Sequence, residues 1–306
     1  MSRDAPQRSA DVTARLMLVV LSLGWGVSWS TMRIALVEMP PFSMRIATML
    51  IGAAALGLIT ALRRRSFALR TPAAIAHTIA ASLFNVVGFS VFTPFAQLYA
   101  ATSRVTILVY TMPIWAALFA RIVLGERITP VRAAALALCI AGMLVLIWPL
   151  ARSGVPLGIL LALGAAVSWA AGTVYLKWAH IEADPMAVTF WQLLVGFLVV
   201  AALAPVFEGT PHLWPLRTET ILAVVFSGLV GSGIAYFLWF DIVRRVPAMT
   251  ASLGVLSVPP VGVLGAVVLL GERPTLTDMT GFALILLASA CVLLAPGLGR
   301  RRAKAR

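Results

Sequence analysis

Ten stretches of this chain run without a single Asp, Glu, Lys or Arg: residues 16–32, 46–62, 71–103, 105–120, 133–151, 153–176, 185–207, 220–240, 246–271 and 279–299. A helix needs about 20 apolar residues to cross a hydrocarbon layer about 30 Å thick. Each stretch holds one such helix once a flanking charge reaches back to the interface. Runs such as Ala133–Ile147 and Gly281–Ala295 are apolar on every side, whereas the strands of a membrane barrel alternate in polarity. The pattern therefore predicts an all-α polytopic membrane protein. Its ten transmembrane helices fall at roughly 16–35, 42–62, 74–97, 101–121 and 131–148, then 156–177, 187–207, 219–241, 247–269 and 277–296. Residues 1–15 read as a short cytoplasmic tail and 297–306 as a basic one, with no small-residue cleavage site after the first.

Composition agrees with lipid as the solvent. Hydrophobic residues make up 61% of the 306 and charged residues only 11%, with a mean hydropathy of +0.98. A soluble chain carries about 25% charged residues, so this one lacks the polar surface to cover a water-facing core. The net charge of +13 would suit nucleic acid, but its placement indicates topology instead. With the N-terminus inside, 18 of the 24 Lys and Arg residues fall on the inner side, and only Arg104, Arg152, Arg217 and Arg273 on the outer side. That bias places both termini in the cytoplasm of a cell (inner or plasma) membrane protein and favours anionic lipid at that face. Cys139 and Cys291 lie within spans as small apolar fillers. The scattered His77, His180 and His212 offer no metal-ligand spacing.

A repeat underlies the ten spans. Sliding the chain by 146 residues lays Leu124-Gly125-Glu126-Arg127 on Leu270-Gly271-Glu272-Arg273, and Pro113 on Pro259. A slide of 144 lays Trp25 on Trp169 and Arg33 on Lys177. Two units of five spans result, residues 16–148 and 156–296. An odd number of spans inverts the second unit, which puts Glu126 and Glu272 on opposite faces. Inverted repeats suit a transporter, because exchanging the conformations of the two halves moves an opening from one face to the other.

The pattern Trp25-Gly26-x-Ser28-x-x-x-x-Arg33, Arg45 early in helix two, Pro113 and the paired Leu-Gly-Glu-Arg blocks resemble the EamA family of the drug/metabolite transporter superfamily. The resemblance covers about residues 16–296. It implies secondary transport, often export, of amino acids or similar metabolites, through a central cavity lined by helices one, three, four, six, eight and nine. The second unit departs from the pattern: no Gly follows Trp169, and Trp191-Gln192 stand where helix seven would match Arg45.

The residues themselves nominate a site. The helix centres hold no ionisable side chain by this reading, so the expected cavity is aromatic and largely uncharged. It suits zwitterionic or amphipathic solutes better than phosphorylated ones. Trp25 and Trp29 share a helix face, with Trp169 and Thr173 at the equivalent positions of helix six. Asn85, Phe89 and Phe92 form a stripe on helix three, and Tyr110, Tyr236 and Trp239 add hydroxyl and indole donors. Interfacial anchoring is the plainer role for aromatics of this kind, as for Trp148 and Trp214. Pro113 and Pro259 break helices four and nine, and paired breaks point to a substrate site. Glu126 and Glu272 precede helix starts and adjoin an Arg, which suits capping or ion pairing, with gating or proton coupling as the alternative. The glycines of 228–233 and 262–265 permit close helix contact. The expectation is a secondary transporter exporting amino acids, aromatic or other neutral ones, or similar small metabolites. It needs no cofactor, binds no nucleic acid, and works as a monomer or homodimer. A multidrug exporter of lipophilic compounds is the alternative, disfavoured by the absence of a mid-membrane acid. An intramembrane enzyme would need a polar catalytic cluster, and none is present.

Overall fold

Apolar stretches of membrane length, cut by proline and glycine, fold into helices whose ends lie at those residues. The computed structural model describes residues 5–151, 157–209 and 215–293. Nine helices among the described residues are long and apolar enough to cross a membrane. They are helix one (Ala5–Ala35), two (Pro41–Leu62), three (Pro72–Tyr99), four (Thr102–Val123), five (Pro130–Ala151), six (Leu157–Ala179), seven (Pro185–Phe207), eight (Thr218–Arg245) and nine (Ala248–Leu270). Helix ten (Leu276–Leu293) is the tenth span, with a shorter apolar stretch. Proline opens helices two, three, five and seven at positions where its missing N–H has no intrahelical role. Helix one starts at Ala5, so most of the expected N-terminal tail is helical; residues 297–306 and His212 and Trp214 lie outside the described residues.

The helices of the two repeats interlock rather than forming separate bundles. Helix two packs along seven, five along ten, and one along nine, while six packs along three and the second half of four. Glycine makes the closest approaches. A Cβ on Gly142 would fall 2.8 Å from the Gly281 carbonyl oxygen, and one on Gly52 would fall 2.9 Å from the Gly233 nitrogen. Both crossings bring backbone against backbone in the manner of small-residue packing in lipid.

Helices three and eight carry an irregularity that composition does not announce. Each holds a π-helical segment at the same relative place, Leu83–Gly88 in three and Ser227–Ile234 in eight. Helices four and nine break as expected: four turns at Tyr110–Thr111 before Pro113, and nine passes through a 3-10 turn, Val255–Ser257, before Pro259.

The inversion is visible in how helix ends meet. Helix four ends at Val123 and the chain turns at Gly125; the carboxylate of the next residue, Glu126, accepts from the Ala248 N–H that begins helix nine (2.8 Å). Helix nine ends at Gly271, and Glu272 accepts from the Thr102 and Ser103 N–H groups that begin helix four (3.2 and 3.3 Å). Gly125 and Gly271 both adopt positive φ (63° and 69°), the left-handed turn that a side chain would strain. Local capping by these acids, the expectation from sequence, is thus corrected: each caps a helix of the other repeat. Glu126 also pairs with Arg132 at 3.8 Å. The same logic seats Glu208, at the end of helix seven, on the Phe42 and Ser43 N–H groups that start helix two.

Candidate functional site

A cleft lies within the bundle, with Met32 and Arg45, near the ends of helices one and two, among its lining. It encloses about 580 Å³ of space free of atoms, its open mouth included, between helices one, two, three, four, six and eight. Its inner end is a cluster of rings. Trp25 lies 5.3 Å from Trp169, 6.1 Å from Tyr236 and 5.8 Å from Trp239, centroid to centroid, and Phe89 lies 4.7 Å from Trp169. Edge-on and tilted contacts of this kind are the favoured aromatic geometry. The Trp25 indole is fixed by its Nε1–H, which donates to the Gly231 carbonyl in the π-segment of helix eight (3.1 Å). Shifted backbone hydrogen bonds in that segment alter which carbonyls face inward, a frequent use of π-turns at functional sites.

Six expected residues line the cleft: Trp25, Trp29, Phe89, Tyr110, Trp169 and Tyr236. The other three do not. Trp239 is buried within the ring cluster behind the cleft, and Asn85 and Thr173 are fully enclosed between helices three and six. Asn85 packs against Gly172, where a Cβ would fall 2.5 Å from its Oδ1. Neither Pro113 nor Pro259 lines the cleft, while Tyr110 and Met112, which flank the break in helix four, do.

The expectation of a largely uncharged cavity is overturned by Arg45. One turn into helix two, its guanidinium faces the cleft, donating from Nη2 to the Thr93 hydroxyl (2.6 Å) and toward the Met32 sulfur (3.2 Å). Its Nε–H is buried and has no partner among the described residues. Arg45 stands one turn from the start of helix two, and its position along the chain alone reads as the edge of a span. Among the described residues no group of His, Cys, Asp and Glu could hold a metal ion.

A second cleft indents the opposite face, between the ends of helices six and eight and the start of seven, and includes Leu176, Lys177, Glu182, Val188, Phe240 and Arg244. It is the counterpart of the first by the repeat. Met32 and Met44 line the first cleft, and the residues 144 further on, Leu176 and Val188, line the second. Contacts obey the same relation. Arg33 donates to the Gln97 carbonyl (2.8 Å) and Lys177 to the Val243 carbonyl (3.0 Å), an offset of 144 on one side and 146 on the other. Ser28 meets Gly231 as Asn85 meets Gly172. Pro41 and Gly52 match Pro185 and Gly196, so the equivalent of Arg45 is Thr189 and not Trp191-Gln192. Between the two clefts stands a seal about one helical turn thick, where Tyr236 faces the first, Phe240 the second, and their rings touch at 5.7 Å.

Two stretches of the sequence, residues 12–148 and 156–294, match the EamA-like transporter family. The chain belongs to that family. Its likeness to known proteins runs nearly end to end. It is 24% identical to the uncharacterized transporter YoaV of Bacillus subtilis (strain 168), over 90% of this chain and 94% of YoaV. It is 27% identical to a probable amino-acid metabolite efflux pump of Escherichia coli (strain K12), over 91% and 93% of the two chains. A crystal structure matches it with a TM-score of 0.73 at 25% identity, covering 92% of this chain and 98% of that one. This EamA-family protein is therefore a multi-pass membrane transporter.

Proposed function

We propose that this transporter exports amino acids or comparable small metabolites by alternating access, with both termini in the cytoplasm and the Arg45 cleft facing outward. The observation that carries this reading is the pair of repeat-related clefts on opposite faces, separated by a thin aromatic seal. Exchanging the conformations of the two repeats would close the first cleft and extend the second inward. Asn85, Thr173 and Gln192 are fully buried polar side chains around the closed path, and their polar side-chain atoms have no hydrogen-bond partner among the described residues. Buried polar groups without partners are expensive, so an alternate state that exposes them to a solute or water gives them a role. Lipophilic cations, the multidrug alternative, would meet Arg45 and no acid in the cleft.

The test is counterflow of a labelled amino-acid panel in proteoliposomes, with and without a pH gradient. Exchange of at least one neutral amino acid is expected, and no exchange of any would sink the reading. Replacing Trp169 by Phe should shift preference among large and small substrates; unchanged selectivity would remove Trp169 from the site. Reporter fusions at Ala151 and Gly209 should read as external, and at Ser66 and Ala183 as cytoplasmic.

A further inference from the structure

We propose that the solute held in the Arg45 cleft is recognised by a carboxylate, and that an amino group on it is dispensable. The inference rests on the transport reading of that cleft and narrows its substrate class to organic acids with an apolar or aromatic body, amino acids included.

The argument begins with charge. The four ion pairs among the described residues are Arg65–Asp184, Arg132–Glu126, Arg217–Glu38 and Arg245–Asp241, all at helix ends. Arg45 belongs to none, and no Asp or Glu lines its cleft. Its fork is engaged at Nη2 alone, with Thr93 and Met32, while Nε has no partner. A guanidinium between membrane helices calls for an opposite charge, and a planar carboxylate matches its fork with two parallel hydrogen bonds. The adjoining lining is mostly rings and methionine, Trp25, Trp29, Phe89, Trp169 and Met32 among them, which suits an apolar body. A phosphate group would leave charge uncompensated beside one cation. An ammonium finds no carboxylate here; ring faces are its available partners, and Arg45 repels it unless a carboxylate on the same molecule stands between.

The repeat sharpens the point. At the position of Arg45 the second unit has Thr189, whose hydroxyl is spent on the Pro185 carbonyl, and at the position of Thr93 it has Trp239. The guanidinium therefore has no counterpart at the matching position of the second unit; Lys177 and Arg244 of the second cleft sit elsewhere and donate to the Val243 and Ala183 carbonyls. Arg45 is a specificity feature of this cleft and not a structural element of the repeat.

The experiment uses three probes that share a ring and differ in their polar groups: 3-phenylpropionate, L-phenylalanine and phenethylamine. Binding to the full-length protein in nanodiscs is read by titration calorimetry, and counterflow is read in proteoliposomes. Phenylpropionate should bind as tightly as phenylalanine or more so, and phenethylamine about tenfold to a hundredfold more weakly, the loss expected for an unmatched buried charge-assisted bond. Arg45→Gln should remove that preference, and Arg45→Lys should restore part of it, in variants with the wild-type elution profile and melting temperature. Phenylalanine binding while phenylpropionate does not would overturn the proposal and leave amino-acid transport standing. So would phenethylamine binding best, or the acid preference surviving in Arg45→Gln. The wild-type comparison alone decides the matter if the variants misfold. Failure of all three probes to bind or exchange would defeat the transport reading of the cleft, and this inference with it.

Discussion

The two halves of the molecule are built from the same five-helix plan, yet Arg45 stands between the helices of one, and the matching position of the other carries no charge. On the side facing Glu272, Ser28 and Gly231 border a cleft and Arg45 looks into it. On the side facing Glu126, their equivalents Gly172, Asn85 and Thr189 are packed shut. The difference teaches that the repeat supplies one backbone frame to both halves, while the side chains at matching positions set what each half encloses. Ser28 became Gly172 and Gly231 became Asn85, so the hydroxyl of one helix is replaced by an amide on the facing one.

The largest expected effect follows from wedging the closed side. A side chain at Gly172 collides with Asn85, so Gly172→Leu should prevent helices six and three from meeting and leave the second cleft open. Transport should fall at least tenfold in a protein that still inserts. Thiol labelling of a cysteine placed at Thr173 should rise, whereas Gly231→Leu should leave that labelling low. Equal labelling in both would break the comparison.

Asn85→Leu should separate stability from turnover. In the closed half the amide has no partner among the described residues, so an apolar side chain of similar volume is expected to raise thermal stability by about 1–2 kcal/mol. If the alternate state uses the amide, transport falls in the same variant. A variant that loses both stability and transport would show Asn85 to be bonded where it stands.

The cross-repeat caps come next. Glu272 accepts from the Thr102 and Ser103 N–H groups, and Glu126 accepts from the Ala248 N–H beside Arg132. Each replacement by Gln should cost about 0.5–2 kcal/mol and should lower folded yield at least as much as transport per molecule. Normal yield with a lost pH dependence would instead assign Glu126 to proton coupling.

The smallest effect concerns Glu38, between helices one and two. Hydrogen bonds from the Thr220 hydroxyl and the Arg217 N–H, helped by the Arg217 charge, hold its carboxyl below the usual range. A lowered folded-state value contributes stability that is fully present above the ordinary carboxylate range and fades as pH falls through the folded-state value. Melting temperature should decline over that acidic window, and Glu38→Gln should flatten this component of the curve.

Much of the frame was legible because lipid imposes it. Charge-free stretches mark the helices, and the duplicated Leu-Gly-Glu-Arg block reports a turn that needs glycine at positive φ followed by a capping acid. Six of the nine nominated aromatic and polar residues meet in the cleft, since aromatics with polar edges on shared faces have few other places to go. Arg45 escaped because its position along the chain alone reads as the edge of a span. Thr189 was missed because two residues of loop separate the offsets of the first and second parts of each repeat. The π-segments have no compositional mark: they are changes in which carbonyl accepts which N–H. Asn85 was expected in the cavity lining; it is instead enclosed between helices three and six, its amide without a partner among the described residues.

The reciprocal caps also bear on how the molecule is made. A ribosome releases helix four long before helix nine, yet the acceptor for the first amides of helix four is Glu272, 170 positions downstream of Thr102. Until that residue arrives, the nascent first half carries a half-helix whose leading N–H groups lack their final acceptor. Five helices inserted by themselves are thus an unfinished assembly, and completion waits on the last fifth of translation. A gene truncated after the first repeat should yield chains that insert but remain prey to membrane proteases, and co-expressing the second repeat as a separate polypeptide should rescue them.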